Sequence, residues 1–284
     1  MPKTWLITGA SSGIGREISL AALSRGDTVI ATSRTPETHL SDLSTRGATT
    51  LQLDLTSPYS EISSVVTEAL RRHENIDVLV NVAGYLLEGS VEETNEEETE
   101  HLFKTNLFGP INLARALLPH FRARRAGVIA NVAGIGALRG AAAAGYYCAG
   151  KAALRVITEG LRAEVAAFGI EVCCVMLGHF RTSFLAQGHR LAVRGRIDEY
   201  EDVLGGIRRG FNAFHGRQPG DPVKAGNVIV GVLAGDEGLG VPAVLPVGED
   251  VFEKIEEGCA RAMGEVEGLK EVAGYTDLQG VGES

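Results

Sequence analysis

Short apolar runs alternate with longer amphipathic stretches along most of the chain. The apolar runs, rich in β-branched residues, predict strands at residues 4–8, 28–32, 50–53, 78–82, 128–132 and 170–177. The stretches between them predict helices at residues 13–25, 58–73, 96–124 and 146–168. Strands joined by helices of this length form right-handed crossovers. The pattern therefore predicts an α/β domain with a doubly wound parallel sheet and helices on both faces.

The regular alternation lapses over residues 182–220, which are polar, rich in Arg and longer than an ordinary connection. We interpret this segment as a substrate lid within a single domain of residues 1–264. After it, the pattern predicts a helix at 222–234, a strand at 243–247 and a helix at 250–263. The Gly- and Glu-rich residues 265–284 predict a flexible tail. The acidic run 92–100 flanks a helix start, where carboxylates are favoured by the helix dipole, so it predicts a solvated helix entry.

Composition narrows the classes of partner. The net charge of -9 over 284 residues, without a Lys/Arg cluster, argues against binding nucleic acid or an anionic membrane surface. A secretory signal and an apolar stretch long enough to span a bilayer are not visible, which predicts a cytoplasmic protein. The four cysteines have neither zinc-ligand spacing nor a disulfide framework, so we expect no metal site, and Cys173 and Cys174 are expected to pack in a buried strand.

Two loops predict a cofactor. Residues 8–15, Thr-Gly-Ala-Ser-Ser-Gly-Ile-Gly, join the first strand to the first helix, where a dinucleotide needs backbone N–H groups and close approach. Such a turn can also occur without a ligand. The second strand ends at Arg34 and not at the carboxylate that would bind the ribose of NAD. Arg34, helped by Arg16 and by Ser11 or Ser12, would bind a 2'-phosphate. We therefore expect NADP(H), the alternative being that Arg34 is an ordinary surface residue.

These features, together with Asn81-Val82-Ala83-Gly84, Asn106 and the Tyr147–Lys151 spacing, resemble the short-chain dehydrogenase/reductase family over roughly residues 3–250. The resemblance implies a Rossmann-type sheet, a small-molecule substrate and a homodimer or homotetramer built through the long helices. It places Asp54 at the adenine and Gly178 in a loop over the nicotinamide, although Leu177 replaces the usual proline. The implied cofactor contacts are Gly9, Ser11, Ser12, Gly13, Ile14, Gly15, Arg34, Asp54, Leu55, Asn81, Ala83, Gly84, Tyr147, Lys151, Gly178, Phe180 and Thr182.

Tyr147 and Lys151 are spaced i and i+4, which places both on one helix face. For carbonyl reduction a proton must reach the developing alkoxide, and an ammonium group near the phenol lowers its pKa. We expect Tyr147 to act as the acid–base group and Lys151 to lower its pKa. Asn106 resembles the family's asparagine that anchors a water molecule linking the lysine to solvent.

One expected hydroxyl is absent. The family's serine usually lies thirteen positions before the tyrosine and polarises the carbonyl, and here that position is Gly134. Three alternatives remain open: an NADPH-dependent reductase that relies on Tyr147, alone or with help from Tyr146; a scaffold repurposed as an isomerase, dehydratase or cyclase; or an NADP(H) sensor without turnover.

The substrate site is expected at Gly134, Ile135, Tyr146 and Phe184, a small, apolar and aromatic set. Replacing serine with glycine opens room beside the nicotinamide. The set therefore predicts a bulky, mostly apolar ketone, such as an intermediate of secondary metabolism. The alternative is that the glycine only relieves a packing clash.

Overall fold

The computed structural model describes residues 2–236, 238, 240–274 and 276. The strands found in them are β1 (Thr4–Ile7), β2 (Thr28–Ser33), β3 (Thr49–Gln52), β4 (Val78–Asn81), β5 (Leu86–Glu88), β6 (Gly127–Val132), β7 (Ile170–Leu177), β8 (Arg190–Ala192) and β9 (Val244–Val247). The helices are α1 (Gly13–Ser24), α2 (Pro36–His39), α3 (Ser41–Thr45), α4 (Tyr59–His73), α5 (Glu96–Phe103), α6 (Gly109–Arg124), α7 (Gly145–Val165), α8 (Glu201–Phe214), α9 (Pro222–Ala234), α10 (Glu249–Glu267) and α11 (Lys270–Ala273).

Seven strands form one parallel sheet in the order β3-β2-β1-β4-β6-β7-β9. The strand order reverses between β1 and β4, and in an open α/β sheet a ligand binds beyond the carboxyl ends of the strands at such a point. The predicted doubly wound α/β fold is confirmed. The predicted strands match within one or two residues at each end.

Alternating side chains of the strands feed two cores. Trp5 and Ile7 of β1 pack with α1 and α9 on one face of the sheet. Leu6, between them, packs on the other face with residues of α4 and α6, including the fully buried Phe121. Because both faces of the sheet are covered, central strands such as β1 and β4 bury consecutive apolar residues and not only every second one.

Two predicted segments differ from the structure. The predicted helix 96–124 is two helices, α5 and α6, joined by a π-helical turn at Lys104–Phe108. The lid, residues 182–220, is not mainly irregular: β8 pairs with β5 in a small parallel sheet, and α8 follows. Both short strands have three residues, too few for a periodic pattern to reveal.

The acidic run 92–100 is solvated only in part. Asn95 and Glu98 form a capping box at the start of α5, as the interpretation of a helix entry requires. Glu93, by contrast, is buried and receives two hydrogen bonds from Arg208 of α8. That part of the prediction is wrong, because the lid folds back over this carboxylate.

At the carboxyl end of the chain, α10 continues to Glu267, beyond the predicted end at residue 263, and α11 follows it. Residues 275 and 277–284 of the predicted tail lie outside the described residues, and its flexibility stays a prediction. Cys173 and Cys174 are buried in β7, as expected. Among the described helices, none combines the length and the apolar character that a membrane span requires.

Candidate active site

A cavity of about 730 Å³ opens at the carboxyl ends of the central strands, between the sheet and the lid. Most of the predicted site residues line it: Gly9, Ser11, Ser12, Gly13, Ile14, Arg34, Asp54, Leu55, Ala83, Gly84, Gly134, Ile135, Tyr147, Gly178, Phe180, Thr182 and Phe184. The topology thus brings together residues that are up to 175 positions apart, because the carboxyl ends of parallel strands share one edge.

The turn between β1 and α1 is a backbone cradle. An added Cβ at Gly9 would lie 2.8 Å from the Cα of Ala83, and one at Gly15 would lie 2.4 Å from the carbonyl oxygen of Gly9. Gly13 has a φ of +52°, in the left-handed region that favours glycine. The first turn of α1 carries no acidic residue, and the Ser12 side chain does not cap it. The helix N-terminus therefore suits a phosphate group, as a dinucleotide requires.

Arg34 and Ser33 form the edge of the cavity at the end of β2. Arg34 is exposed and forms no ion pair with any residue that the structure describes. The Ser33 Oγ is buried and has no hydrogen-bond partner among the described residues. A 2'-phosphate would satisfy both, so these residues fit NADP(H). Arg16 does not belong to this group, because its guanidinium pairs with Asp42 and Glu17.

Asp54 lines the cavity beyond β3, where the adenine is expected. Its Oδ1 accepts hydrogen bonds from the backbone N and the Oγ1 of Thr56, both at 2.8 Å. This turn holds the carboxylate in place and leaves the Oδ2 atom for a ligand.

Three of the predicted contact residues stand behind the cavity wall. Gly15 packs against the main chain of Thr8 and Gly9 just after β1, and Asn81 donates from its Nδ2 to Asn131 of β6 and to the Pro110 carbonyl. Lys151 is 4% exposed and lies behind Tyr147. Asn81 therefore ties β4 to β6, and the loop that follows it is held by the Thr8 hydroxyl, which accepts from the backbone N atoms of residues 82 and 83.

Tyr147 and Lys151 lie on α7, one turn apart, and burial moves their pKa values in opposite directions. Burial raises the pKa of Tyr147 above its usual value and lowers the pKa of Lys151 to about 8. The Lys151 Nζ donates to the carbonyl oxygen of Val132 at 2.7 Å. The expected lowering of the Tyr147 pKa by Lys151 is not found in this structure. Burial of the phenol is the larger effect, and the Lys151 ammonium points towards Val132 of β6.

The side chains of Asn106 and Lys151 both lie close to Gly84. Asn106 is fully buried in the π-helical turn, and its side chain accepts from the backbone N of Tyr85 and donates to the Tyr85 carbonyl. A Cβ added at Gly84 would lie 3.0 Å from the Asn106 Oδ1 and 3.5 Å from the Lys151 Nζ. The glycine therefore leaves the space in which both side chains approach the cavity.

Gly134 adopts a φ of +129°, which L side chains rarely adopt. An added Cβ would meet only the Leu177 carbonyl oxygen, at 3.3 Å. The space beside Gly134 is open, but its backbone conformation is one that serine rarely adopts. Relief of a packing clash is therefore at most part of the reason for this glycine.

Tyr146 lies outside the cavity, contrary to the prediction. It packs among Tyr85, Leu87, Leu102 and Val193. Tyr147 also packs against part of this cluster, but consecutive helical residues point about 100° apart, and of the two rings that of Tyr147 lines the cavity. Phe184 does contact the site, with its ring 5.9 Å from that of Tyr147.

The structure adds polar residues that sequence patterns did not indicate. The His179 Nδ1 lies 2.7 Å from the Asp250 Oδ2, and its ring packs edge-on against Phe214 of the lid. Gln218 is 2% exposed, and its Oε1 has no hydrogen-bond partner among the described residues. His189 of the lid faces Ser12. All line the cavity, and only the position of His179 directly after Gly178 offered a signal.

The sequence pattern of the short chain dehydrogenase family matches residues 3–190. Oxidoreductase claN of Passalora fulva is 40% identical over 197 residues, which are 68% of this chain and 89% of that protein. The crystal structure of a short-chain dehydrogenase from Streptomyces avermitilis is similar with a TM-score of 0.87 and 37% identity, covering 97% of this chain and 98% of the other. A variant of the actinorhodin polyketide ketoreductase with NADPH has a TM-score of 0.72 and 27% identity, over 87% and 95% of the two chains.

Proposed function

The chain belongs to the short chain dehydrogenase family of oxidoreductases, and from this premise we propose that it reduces the ketone of a bulky, mostly apolar small molecule with NADPH. The observation that carries the proposal is the position of Tyr147 at the cavity, in front of Lys151 and opposite the glycine cradle of α1. NADPH supplies the hydride, and the chain supplies the proton and the orientation of the substrate.

NADPH is favoured over NADH by the residues at the end of β2. The Arg34 guanidinium and the buried Ser33 hydroxyl both lack partners among the described residues, and the residue directly after β2 is this arginine and not a carboxylate that would bind a 2'-hydroxyl. A charge-assisted contact from arginine to phosphate suits this edge. The similar ketoreductase with NADPH supports the same choice.

Tyr147 is the proton donor in this proposal. Because burial raises its pKa, the phenol keeps its proton at neutral pH and donates it only when negative charge develops on the substrate oxygen. Lys151, with a pKa lowered to about 8, is still mostly an ammonium there. One of its N–H bonds is used by the Val132 carbonyl, which leaves others to bind ribose hydroxyls and to stabilise the phenolate after proton transfer.

Without a hydroxyl at position 134, Tyr147 is the side chain left to hydrogen-bond the carbonyl oxygen. Losing one such donor typically costs about a hundredfold in rate. His179 lines the same cavity with its Nδ1 bonded to Asp250, so its Nε2 is available to a polar group of the substrate. This pair would orient the substrate and offset part of that cost through positioning.

The substrate class follows from the lid. Phe184, Leu185, Leu191 and Phe211 line the cavity, together with Ile135 on the opposite wall. Such a lining favours a large apolar molecule with few polar groups. That class includes secondary metabolites with fused rings, and the polyketide named for the similar ketoreductase is consistent with it.

A second candidate function rests on Gly134 alone. With the usual serine position held at a φ of +129°, the site would still transfer protons through Tyr147 to a preorganised substrate, in an isomerase, dehydratase or cyclase reaction. In that case the cofactor would be bound without net turnover.

The test is a comparison of NADPH consumption with product formation. Purified protein is incubated with NADPH and two panels of ketones, one bicyclic or tricyclic and one small and polar. We expect NADPH to be consumed stoichiometrically with the bulky panel. Product formed without a change in NADPH would support the second candidate, and turnover confined to the small polar ketones would contradict the proposed substrate class.

A further inference from the structure

His189 is a lid residue whose backbone is fixed against the body of the domain. Its carbonyl oxygen accepts from the backbone N of Leu86 at 2.9 Å, next to the pairing of β8 with β5. Its own backbone N donates to Ala186. The side chain is partly buried and lines the cavity. The position of this imidazole is therefore set by the fold and not by a freely moving loop.

The imidazole faces the cofactor turn. Its Nε2 lies 3.4 Å from the Ser12 Oγ, at the start of α1. Burial and the positive charge of Arg34 lower the pKa of His189, so the guanidinium lies close enough to repel an imidazolium. Three donors from separate parts of the chain thus surround one corner: Ser12 from the glycine turn, Arg34 from the end of β2 and His189 from the lid.

This corner lacks negative charge to balance it. In the part of the chain that the structure describes, neither Arg34 nor His189 has an acidic side chain as a hydrogen-bond or ion-pair partner. Asp54, which also lines the cavity, is held by Thr56. Among the described residues, the buried Ser33 hydroxyl beside Arg34 has no hydrogen-bond partner either. An anion placed here would gain several charge-assisted hydrogen bonds and remove the repulsion between Arg34 and His189.

We propose that His189 completes the 2'-phosphate site, so that the lid itself distinguishes NADP(H) from NAD(H). The inference rests on the proposed cofactor. The 2'-substituent of the adenosine ribose lies at the end of the second strand of such a fold, which is the end of β2 between Ser33 and Arg34. The pyrophosphate, by contrast, lies over the N-terminus of α1.

The arrangement has a consequence for the order of binding. The segment that carries His189 also carries Phe184, Leu185 and Leu191, which line the substrate part of the cavity. A phosphate bound by His189 fixes this segment from one end. Cofactor binding would therefore fix this part of the substrate wall before the substrate binds.

The experiment measures dissociation constants for NADP⁺ and NAD⁺, and for adenosine 2',5'-bisphosphate as a fragment that carries the 2'-phosphate alone. The variants are His189→Gln and His189→Ala, with His215→Gln as the matched control because His215 is an exposed histidine at the end of α8. A hydrogen bond to a charged group contributes about 1.5–3 kcal/mol, so we expect about a tenfold or greater loss of affinity for NADP⁺ and for the bisphosphate in both His189 variants. Affinity for NAD⁺ and the behaviour of the His215 variant should not change.

The retained NAD⁺ affinity shows in the same measurement that a variant is folded. Equal weakening of NADP⁺ and NAD⁺ would overturn the inference, because His189 would then act on the pyrophosphate or on folding. An unchanged preference for NADP⁺ in both His189 variants would overturn it as well, while leaving the proposed function intact. A wild-type protein without any preference for NADP⁺ would instead overturn the proposed cofactor, and the inference with it.

Discussion

The two walls of the cavity are held by different forces. On the wall of β1, β2 and α1, backbone packs on backbone, and an added Cβ at Gly9 or Gly15 would approach main-chain atoms within 2.8 and 2.4 Å. On the lid, residues 182–220, the short pairing of β8 with β5 is supplemented by buried ion pairs between charged side chains. Arg208 donates to both carboxylate oxygens of the buried Glu93 at 2.8 Å and pairs with Glu201.

This difference separates what is fixed from what can vary. Backbone packing leaves no room for a side chain, so the wall formed by β1, β2 and α1 requires glycines at fixed positions in the sequence. An ion pair can be replaced by another pair elsewhere, so the part of the lid that Arg208 anchors tolerates more change than the glycine turn does. Tyr147 stands between the two walls, and substitutions at five positions test how the walls and the site between them behave.

The largest effect is expected where the walls meet. Tyr147→Phe removes the proposed proton donor, and general acid catalysis is worth 10²–10⁴-fold, so we expect ketone reduction to fall about a thousandfold. The dissociation constant for NADP⁺ should not change. Tyr146→Phe is the matched control, since that ring packs away from the cavity. A similar loss in the Tyr146 variant would contradict the placement of the two rings.

The lid is tested by Arg208→Met, which leaves the Glu93 carboxylate buried without its partner. Although burial raises the pKa of Glu93, hydrogen bonds from the Ser90 backbone and from Arg208 lower it to about 2. Breaking a buried pair costs about 3–5 kcal/mol, so we expect a lower free energy of unfolding and a higher KM, with NAD⁺ affinity retained. Arg209→Met is the control, because Arg209 is exposed and also pairs with Glu201. Loss of NAD⁺ binding would mean that the walls are coupled.

The cofactor wall is tested by Gly15→Ala. The new Cβ would force the backbone of residue 9 to move, and overpacking of this kind costs about 1–3 kcal/mol. We expect NAD⁺ and NADP⁺ affinity to fall together. Gly160→Ala is the matched control: it lies in α7 with open space around the added Cβ, and should stabilise the protein by up to about 1 kcal/mol. Normal cofactor affinity in the Gly15 variant would argue against a rigid cradle.

The buried Lys151 makes the free energy of unfolding depend on pH. Burial lowers its pKa in the folded protein to about 8, from 10.5. Between these values the unfolded chain binds more protons, so this lysine makes stability rise with pH across that window, and below it the full cost of burying the charge applies. Lys151→Met should therefore raise the free energy of unfolding at pH 7 by about 2 kcal/mol, allowing for the lost bond to Val132.

The measurement is urea denaturation at several pH values from 7 to 10, with Lys224→Met on the exposed side of α9 as the control. The gain should shrink as the pH rises through this range. A Lys151 variant that is less stable than the wild type at pH 7 would contradict a net cost of the buried charge.

The smallest effect is expected at Gly134. A side chain at a φ of +129° costs about 1–3 kcal/mol, in alanine and serine alike. We expect Gly134→Ala and Gly134→Ser to lose the same modest stability, and the serine variant to reduce ketones about tenfold faster than the alanine variant, since a strained donor recovers part of the usual effect. Equal rates in the two variants would mean that another group already bonds the carbonyl oxygen.

Much of the fold was predictable because its signals are local. The β-branched runs gave the strands of the main sheet, and the glycine turn gave the cradle, since each depends on residues close in sequence. The pairing of β5 with β8 was not predictable, because strands of three residues have no period and meet across a hundred positions. Arg16 and Tyr146 were placed wrongly for the same reason: Asp42 and the cluster around Leu87, which hold them, lie far away along the chain.

In the site, too, features set by residues close in sequence were predictable, and those set by distant contacts were not. Tyr147 and Lys151 were singled out by their helical spacing together with the glycine turn and Asn106 earlier in the sequence. His189 was not, since its role depends on where the lid crosses the domain, and a lone histidine in a polar stretch carries no signal. The direction of the Tyr147 pKa also needed the structure, because it depends on how deeply the phenol is buried.

The backbone angle at Gly134 limits how this chain can change over generations. Any single substitution that adds a hydroxyl there also adds a Cβ in an unfavourable conformation, so the protein loses folding stability before it gains rate. Variants selected for faster turnover would therefore acquire a new donor elsewhere around the cavity, on the lid or beside His179, sooner than at position 134. The strain at this one dihedral angle thus makes adaptive substitutions more probable in the lid than at position 134.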